Sequence, residues 1–351
     1  MVRDTGRIHP AAAVALAAPC LWPHDIRAVI DGETFDPPPW NVVFGPVCDR
    51  GDPSGIIVQG TREIARWGDV HLPEMAFSVA KSYLGLIAAA ALDRVMIPDL
   101  SQPVSAKIDD PAFASPRNRQ VTWRQLLDQT SEWGGDLFGI PDTVDRDRQL
   151  APTESRDRMD RGTPLKEPGS YWDYNDVRVN ALCLALTRLF GQPLAETLAK
   201  IHPAFAPETG FRWRGYGDRS TIEIDGRLVE VAVGGGHWGG GVVATVPQHL
   251  MLGRLVLKSG MDGARRCIGE AALRHVVHPC PLQPVYGGLW WLNGNRALYP
   301  PASTESVFAL GVGTTVIWVE PALDVVAVAR WIRPEAIGAW IDAIRNSIEA
   351  P

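Results

Sequence analysis

A polar Ser-x-x-Lys step that leads into an apolar segment is the feature that most constrains this chain of 351 residues. The apolar run at residues 84–92 is too short to span a bilayer, so we expect a helix in the core of a globular fold. Residues three apart share a helix face, which lets the Ser78 hydroxyl and the Lys81 amine come within hydrogen-bonding distance. The pattern predicts a nucleophile beside its base.

The chemistry explains why these residue types matter at this spacing. A serine hydroxyl is a weak nucleophile until a neighbour takes its proton, and a lysine amine can do so only when it is neutral. Burial by the apolar run is expected to lower the pKa of Lys81 and so supply that form. The helix N-terminus adds backbone N–H groups that favour a developing negative charge. Alone, the pattern also fits Ser78 as a simple N-cap.

The composition of the chain limits the classes of binding partner and the cellular compartment that we expect. The formal net charge is −6 and no basic cluster occurs, which disfavours nucleic acid and membrane and favours a small-molecule substrate. Five cysteines at irregular spacing argue against a disulfide framework and for a reducing, cytoplasmic setting. No metal or organic cofactor is expected, since no second ligand pair lies near the zinc-like 275–280 segment and the glycine tract at 234–241 lacks a phosphate-loop sequence. The sequence leaves the oligomeric state open.

Patterns of hydrophobicity and turn residues predict an order of elements along the chain. The alanine-rich stretch at 11–18 is interpreted as a short helix or ordered arm, because it lacks the features of a secretory signal. A charged surface loop is expected at 142–167. The remaining elements are a hairpin at 55–67, the Ser78 helix ending near Arg94, helices within 121–127 and 177–190, a hairpin at 221–233, a loop and helix at 240–258, strands at 307–309, 315–319 and 325–331, and a terminal helix at 334–348.

This order resembles the serine β-lactamase and penicillin-binding-protein superfamily, particularly its class C-like branch of esterases and amidases, which includes 6-aminohexanoate-dimer hydrolase-like enzymes. The resemblance covers nearly the whole chain. It rests on motifs at Ser78-Val-Ala-Lys81, at Leu126-Leu127-Asp-Gln-Thr130-Ser131 ("LL-x-x-TSG" in the family), at Tyr174-Asn175-Asp176 (Tyr-x-Asn in the family), and at Gly239–Gly241 followed by Ala244-Thr245 ("GGG-x-x-(S/T)" in the family).

The resemblance implies an α+β fold in which an antiparallel sheet flanked by helices, from residues 1–99 and 211–351, carries an inserted all-helical domain at 100–210. It implies three catalytic residues, Ser78, Lys81 and Tyr174, and an oxyanion hole made by the backbone N–H groups of Ser78 and Val312. Expected substrate contacts are Trp172, Asn175, Asp176, His237, Trp238 and Gly311. For Asp176, where the family usually carries Asn, substrate contact and helix N-cap both stay open. The numerous tryptophans fit an aromatic-walled cleft and a large core equally well.

The third family motif, Lys-Thr-Gly or His-Thr-Gly, aligns with Ala309-Leu310-Gly311, where only the glycine is kept. In penicillin-recognising relatives this motif helps to hold the substrate carboxylate, so we expect weak activity on penicillins and cephalosporins. The expected function is a serine hydrolase that cleaves a small ester or amide through an acyl-enzyme on Ser78. Alternatives are a D-amino-acid peptidase, a linear-amide hydrolase, and a non-catalytic binding module that keeps the fold.

Overall fold

The computed structural model describes residues 8–146 and 164–349. The helices in these residues are α1 (Pro10–Ala17), α2 (Ile26–Asp31), α3 (Val79–Asp93), α4 (Trp123–Leu127), α5 (Asp176–Phe190), α6 (Leu194–Ile201), α7 (Val246–Leu257), α8 (Glu270–Val276) and α9 (Ile337–Glu349). The strands are β1 (Ser54–Gln59), β2 (Arg62–Trp67), β3 (Glu74–Met75), β4 (Asp136–Leu137), β5 (Ile140–Pro141), β6 (Arg212–Arg214), β7 (Thr221–Ile224), β8 (Arg227–Glu230), β9 (Gly241–Ala244), β10 (Met261–Asp262), β11 (Arg265–Arg266), β12 (Tyr286–Gly287), β13 (Trp290–Leu292), β14 (Val307–Gly311), β15 (Thr315–Glu320) and β16 (Val325–Arg330).

A central antiparallel sheet joins strands that are far apart in sequence. Its order is β12-β13-β14-β15-β16-β1-β2, so that β1 pairs with β16 at the other end of the chain. The hairpin predicted at 55–67 is confirmed as β1 and β2, and the three predicted C-terminal strands are confirmed as β14, β15 and β16. The antiparallel sheet of the predicted fold class is therefore present.

The two faces of the sheet pack against different helices. Successive strand side chains point to opposite faces. In β16, Val326 and Val328 join a core that also contains residues of α3 and α7, whereas Ala327 and Ala329 join a second core with α1 and α9. Helices therefore flank the sheet on both sides, as predicted, and the expected N-terminal and C-terminal helices both belong to one of these layers.

Helix α3 is buried over nearly its whole length. Residues 79–91 are all buried, which explains why this helix has an apolar sequence on every face. It ends at Asp93, close to the predicted end. The core on its side of the sheet extends without interruption into the helices of residues 100–210. The domain boundaries at 99/100 and 210/211 remain a prediction.

The region at 100–210 is mainly helical, with one departure from the prediction. Thr122 and Gln125 form the expected capping box at the start of α4. The region also contains the short strand pair β4 and β5, so it is not all-helical. Two-residue strands give almost no sequence pattern, because period-2 alternation needs a longer run to be visible.

Two further segments differ from the prediction. Residues 241–244, expected as a loop, form β9, which pairs with β3 and β6. The glycine-rich composition concealed this strand. The expected surface loop at 142–167 begins with a buried turn, since Asp142 and Asp145 are almost inaccessible, and its part at 147–163 lies outside the described residues. In the described part of the chain, no helix has the length and apolar character needed to cross a bilayer.

Candidate active site

Ser78 lies at the turn that joins β3 to α3. β3 is anchored by Glu74, whose carboxylate forms a buried ion pair with Arg330 at 2.7 Å. Phe77 follows with φ of 46°, a left-handed conformation that is uncommon for a bulky side chain. This turn leaves Ser78 partly exposed while its neighbours Phe77 and Val79 are buried. Its hydroxyl is therefore open to a cavity.

Ser78, Lys81 and Tyr174 come together in the structure. The Lys81 amine donates a hydrogen bond to the Ser78 hydroxyl at 2.9 Å and a second to the Gly234 carbonyl at 3.3 Å. Lys81 is only 1% exposed, and its Nζ lies 4.7 Å from the centre of the Tyr174 ring. The Tyr174 hydroxyl interacts by hydrogen bonding with both Ser78 and Lys81. The Ser78 hydroxyl, the Lys81 amine and the Tyr174 phenol thus lie in contact with one another.

The protonation of Lys81 differs from the prediction. Burial does lower the pKa of Lys81, but the adjacent Asp176 carboxylate and Tyr174 raise it, and the net shift is upward. Asp176 Oδ1 lies 2.6 Å from Lys81 Nζ, and both side chains are buried. The prediction considered burial alone. An aspartate where relatives carry asparagine supplies the opposing charge.

Burial also shifts the pKa of the Tyr174 phenol. It raises the pKa of Tyr174, although the Lys81 amine beside it acts in the opposite direction. Tyr174 is 6% exposed. The phenol therefore holds its proton at neutral pH and can donate a hydrogen bond toward Ser78 or a departing group.

Asp176 connects Lys81 to a second set of buried groups. Its Oδ2 atom lies 3.0 Å from His237 Nδ1, and His237 Nε2 lies 3.4 Å from Asp36 Oδ2. The Asp176 backbone N–H donates to the carboxylate of Asp145. A cluster of Asp36, Asp145 and His237 has ligand atoms within 4.8 Å of one another, a spacing that a metal ion could use. Both nitrogens of His237 face carboxylate oxygens, one of Asp176 and one of Asp36.

Close backbone approach makes this arrangement possible. A Cβ added to Gly235 would lie 1.9 Å from Asp176 Oδ2, so a side chain there would displace the carboxylate from its contacts with Lys81 and His237. The glycine tract therefore serves packing around the site.

Ser78 lines a cavity of about 980 Å³. One aromatic group in its lining, here called the N-terminal wall, consists of Trp22, Phe35 and Phe77, whose ring centres lie 5.5–5.9 Å apart. A second group, here called the Tyr174 wall, consists of Trp172, Tyr174 and Trp291, with ring centres 5.9–6.5 Å apart. Tryptophans also fill the core, as fully buried Trp290 shows. Both expectations for the tryptophans thus hold.

Gly311 brings a second backbone donor to the cavity. A Cβ added to Gly311 would lie 2.4 Å from the Ala76 carbonyl oxygen, so β14 approaches the segment before Ser78 as only glycine permits. Val312 follows and lines the cavity with Ser78. Within residues 8–146 and 164–349, neither the Ser78 nor the Val312 N–H donates a hydrogen bond. Both are available to a substrate oxygen.

Comparison with known proteins agrees with this arrangement. A family model described as Beta-lactamase matches residues 67–331. The chain belongs to the beta-lactamase family. Its fold is the beta-lactamase/transpeptidase-like fold.

Several solved structures share this beta-lactamase-family fold. A putative 6-aminohexanoate-dimer hydrolase from Bacillus anthracis is 15% identical with a TM-score of 0.57, covering 84% of this chain and 79% of that chain. A novel penicillin-binding protein homologue from Caulobacter crescentus is 16% identical with a TM-score of 0.58, covering 92% and 96%. A family VIII carboxylesterase is 12% identical with a TM-score of 0.57, covering 92% and 96%. At these identities the likeness concerns the fold alone. No curated protein sequence matches the chain.

Two residues expected to contact substrate in this beta-lactamase-family chain do not line the cavity. Asn175 is the N-cap of α5, where it accepts from the Arg178 N–H and donates to the Asp142 carbonyl. Trp238 is fully buried and its indole donates to the Trp40 carbonyl. Both side chains are occupied by packing and local hydrogen bonds.

The other expected residues do line the cavity. They are Trp172, Asp176, His237 and Gly311. Asp176 occupies the first position of α5 and so is not its N-cap. Its ion pair with Lys81 gives it a position that neither sequence alternative described.

Sequence reasoning missed four residues of this site: Trp22, Phe35, Asp36 and Asp145. The first three come from the segment around α2, which packs against Phe77 and Trp331. Aromatic residues in a proline-rich opening were an available signal for Trp22 and Phe35. Nothing local in the sequence indicated that two carboxylates distant from Ser78 would join its surroundings.

Proposed function

We propose that this protein is a serine hydrolase that cleaves an ester or amide bond of a small neutral molecule through an acyl-enzyme on Ser78. The observation that carries the proposal is the 2.9 Å contact between the Ser78 hydroxyl and the buried Lys81 amine beside a cavity. A nucleophile and its base within hydrogen-bond reach are the geometric signature of covalent catalysis.

The reaction follows from the positions of these groups. Ser78 Oγ attacks the substrate carbonyl carbon while its proton passes to neutral Lys81, and the oxyanion accepts hydrogen bonds from the Ser78 and Val312 N–H groups. The bond to the leaving group then breaks, and Lys81 returns the proton to that group through the Tyr174 hydroxyl. Water attacks the acyl-enzyme with the same groups taking its proton, and Ser78 is released.

Activity should rise with pH. Asp176 and Tyr174 outweigh burial and raise the pKa of Lys81, so its neutral form is scarce at neutral pH. Raising the pH increases that fraction, and with it the rate of attack by Ser78.

The cavity favours an uncharged substrate. In place of a cationic third motif it has buried Ala309 and the aliphatic side chain of Leu310. Arg333 is the one guanidinium among the described residues that line the cavity, and Glu335, two residues further along the chain, also lines it. The N-terminal wall and the Tyr174 wall can pack an apolar or aromatic acyl group.

A linear-amide hydrolase or a D-amino-acid peptidase would use the same groups with a different leaving group. The 6-aminohexanoate-dimer hydrolase among the similar structures makes short linear amides a sensible part of the substrate panel. All five cysteines are free, which supports a reducing, cytoplasmic setting as part of the proposal. We propose no nucleic-acid, membrane or metal partner.

Labelling with a fluorophosphonate probe tests the nucleophile. The wild type should be labelled at Ser78, and Ser78→Ala should lose both labelling and turnover while it keeps its thermal stability. Ser82→Ala is a matched control in the same helix, because the Ser82 hydroxyl bonds to the Leu289 carbonyl and does not line the cavity. It should still be labelled. Labelling or turnover that persists in Ser78→Ala would contradict the proposal.

The substrate class is tested with the same preparations by comparing kcat/KM for nitrocefin, p-nitrophenyl butyrate and short linear amides. We expect the ester or an amide to be preferred over nitrocefin. Efficient nitrocefin turnover with poor ester and amide cleavage would exclude a preference for neutral substrates.

A further inference from the structure

We propose that Leu21 and Trp22 form a subsite for the acyl chain of the substrate, and that this acyl group is apolar and longer than butyryl. The inference rests on the proposed function, because it names the acyl group that the same hydrolase site accepts. Trp22 is thereby a specificity-determining residue, which contacts the chain and takes no part in proton transfer. Both residues precede residue 67, where the match to the beta-lactamase family begins, so the subsite lies outside the matched region.

The Trp22 ring contacts both segments that carry the oxyanion donors. Its centre lies 5.8 Å from the centre of the Phe77 ring, and Phe77 immediately precedes Ser78. A Cβ added to Gly313, the residue after Val312, would lie 2.9 Å from a carbon of the Trp22 ring. An acyl group whose carbonyl oxygen accepts from the Ser78 and Val312 N–H groups therefore begins close to the Trp22 ring.

The main chain around Trp22 is fixed by a buried arginine. Arg50 is 7% exposed, and its Nε donates to the Trp22 and Pro23 carbonyls at 3.2 Å each. Its Nη2 donates to the Cys20 carbonyl at 3.2 Å, and the Cys20 N–H donates to the Trp331 carbonyl at 2.7 Å. A wall held in this way loses little conformational freedom when a chain binds, so more of the apolar contact contributes to affinity.

The direction of proton transfer assigns the acyl chain, and not the leaving group, to this wall. Besides Ser78 Oγ, the tetrahedral carbon carries the oxyanion, the leaving group and the acyl group. The oxyanion accepts from the Ser78 and Val312 N–H groups, and the leaving group faces Tyr174, from which it takes its proton. The acyl group is left with the remaining direction. The N-terminal wall, which Phe77 joins to Ser78, receives it.

Aliphatic side chains extend the apolar lining to the rim of the cavity. Leu21 is 82% exposed and Val312 is 44% exposed, and both line the cavity. The half-buried Leu298 and Leu310 line it as well. Single exposed apolar side chains are common on proteins and need no function, but these four share one cavity lining with Trp22. A chain that reaches from the reacting carbonyl to the rim removes this apolar surface from water.

A series of p-nitrophenyl esters from acetate to octanoate tests the subsite, with kcat/KM measured below the critical micelle concentration of each ester. Each CH₂ group that leaves water should raise kcat/KM by about two- to fourfold, so octanoate should exceed butyrate by more than about tenfold. The octanoate-to-butyrate ratio is compared between variants. An effect on Ser78 or on the backbone donors acts on both esters and cancels in this ratio.

Replacement of the rim and of the wall should lower this ratio to different extents. Leu21→Ser should lower it by about threefold and Trp22→Ala by about tenfold, in proportion to the apolar surface removed. Leu228→Ser is the matched control, because Leu228 in β8 is 79% exposed and is not among the described residues that line the cavity. It should leave the ratio unchanged. Thermal melting checks the folding of each variant.

A second series distinguishes the acyl chain from the leaving group. Butyl and octyl butyrate keep one acyl group and vary the alcohol, and acid release measures their hydrolysis. Leu21→Ser should leave the octyl-to-butyl ratio as it is in the wild type. A ratio that falls in this series and stays constant in the p-nitrophenyl series would place the chain of the alcohol at Leu21 and overturn the assignment.

The outcomes separate the two proposals. A wild type that is neither labelled nor active refutes the serine hydrolase and, with it, the acyl subsite. An active wild type that does not prefer octanoate to butyrate, or whose preference is unchanged in Leu21→Ser, refutes only the subsite. Because Trp22 also packs against Phe77 and Gly313, Trp22→Ala can lose its fold. Leu21→Ser then decides alone, since a side chain that is 82% exposed contributes little to folding.

Discussion

Two buried charge clusters start from the same turn of α5 and differ in the cation at their centre. The reactive cluster is the path from Lys81 through Asp176 to His237 and Asp36. The Arg178 cluster begins two residues later and joins Arg178 to Glu132, Asp142 and Asp173. Both centres are about equally buried, since Lys81 and Arg178 are each 1% exposed. Burial alone therefore does not distinguish a reactive cluster from a structural one.

The Arg178 cluster fixes backbone. Its guanidinium lies 2.7 Å from Glu132, 2.9 Å from Asp173 and 3.4 Å from Asp142, and its Nε donates to the Trp133 carbonyl at 3.0 Å. An arginine does not lose its proton in a protein, so the cation at the centre of this cluster keeps its charge at every working pH. By holding Asp173, it fixes the chain immediately before Tyr174.

Glu132 shows what this rigidity allows. It has φ of 44°, the left-handed conformation that glycine adopts most easily. Glu132 follows Thr130-Ser131, at the position where the family's "LL-x-x-TSG" motif has its glycine. Its carboxylate binds Arg178 and accepts from the Lys166 N–H at 2.7 Å. Side-chain bonds thus offset the strain of a non-glycine residue. The reactive cluster differs from the Arg178 cluster in its cation, because Lys81 can lose its proton whereas Arg178 cannot.

The largest effect should come from exchanging the type of cation in the reactive cluster. Lys81→Arg keeps the charge beside Asp176 but removes the group that can become neutral, so turnover should fall by about 10³-fold or more. Turnover of p-nitrophenyl butyrate and fluorophosphonate labelling measure the loss, with thermal melting as the folding control. An active Lys81→Arg enzyme would remove the distinction between the two clusters.

A large effect on stability is expected from the Arg178 cluster. Arg178→Met removes the cation that Glu132, Asp173 and Asp142 share and should lower the free energy of unfolding by about 3–5 kcal/mol, while Asp142 keeps its 2.7 Å ion pair with Arg146. Urea denaturation measures this change. Arg178→Lys is the matched control, since it keeps the charge and loses the planar fork, and it should lie between wild type and Arg178→Met. A loss below about 1 kcal/mol in Arg178→Met would show that the cluster is not a structural anchor.

The smallest effect should come from an ion pair at the surface. Lys258 and Asp324 form a contact in which the side chains are 42% and 47% exposed. Lys258→Ala should change the free energy of unfolding by less than about 0.5 kcal/mol, because water and salt screen the pair. Urea denaturation at low and high salt measures it. A cost close to that of Arg178→Met would mean that burial does not set the scale in this protein.

The parts of the fold predicted from sequence are those with a local pattern. The 3.6-residue period and capping residues located α4 and α5, and apolar runs bounded by turn residues located β14, β15 and β16. The order of these elements indicated the fold only together with the motifs that carry the family resemblance. β9 was missed because it begins at the end of a glycine tract and is held by strands distant in sequence.

In the site, too, the residues with a local sequence pattern were predicted and those brought together by distant contacts were not. Ser78 and Lys81 are three residues apart, so their contact follows from helix geometry, and Tyr174 was identified by its motif. The upward shift in the pKa of Lys81 was missed because it depends on where Asp176 lies in space. Asp36 and His237 make a contact between distant parts of the chain, and no local pattern encodes such a contact.

The contact at Gly311 suggests how new specificities could arise on this scaffold. An added side-chain atom there would meet the carbonyl of Ala76 at 2.4 Å, so the separation between the two backbone donors is set by main chain touching main chain. Leu310 and Val312 on either side of it also line the cavity. Evolution or a protein engineer can exchange these two side chains without moving the donors, so substrate range and reaction geometry can change independently.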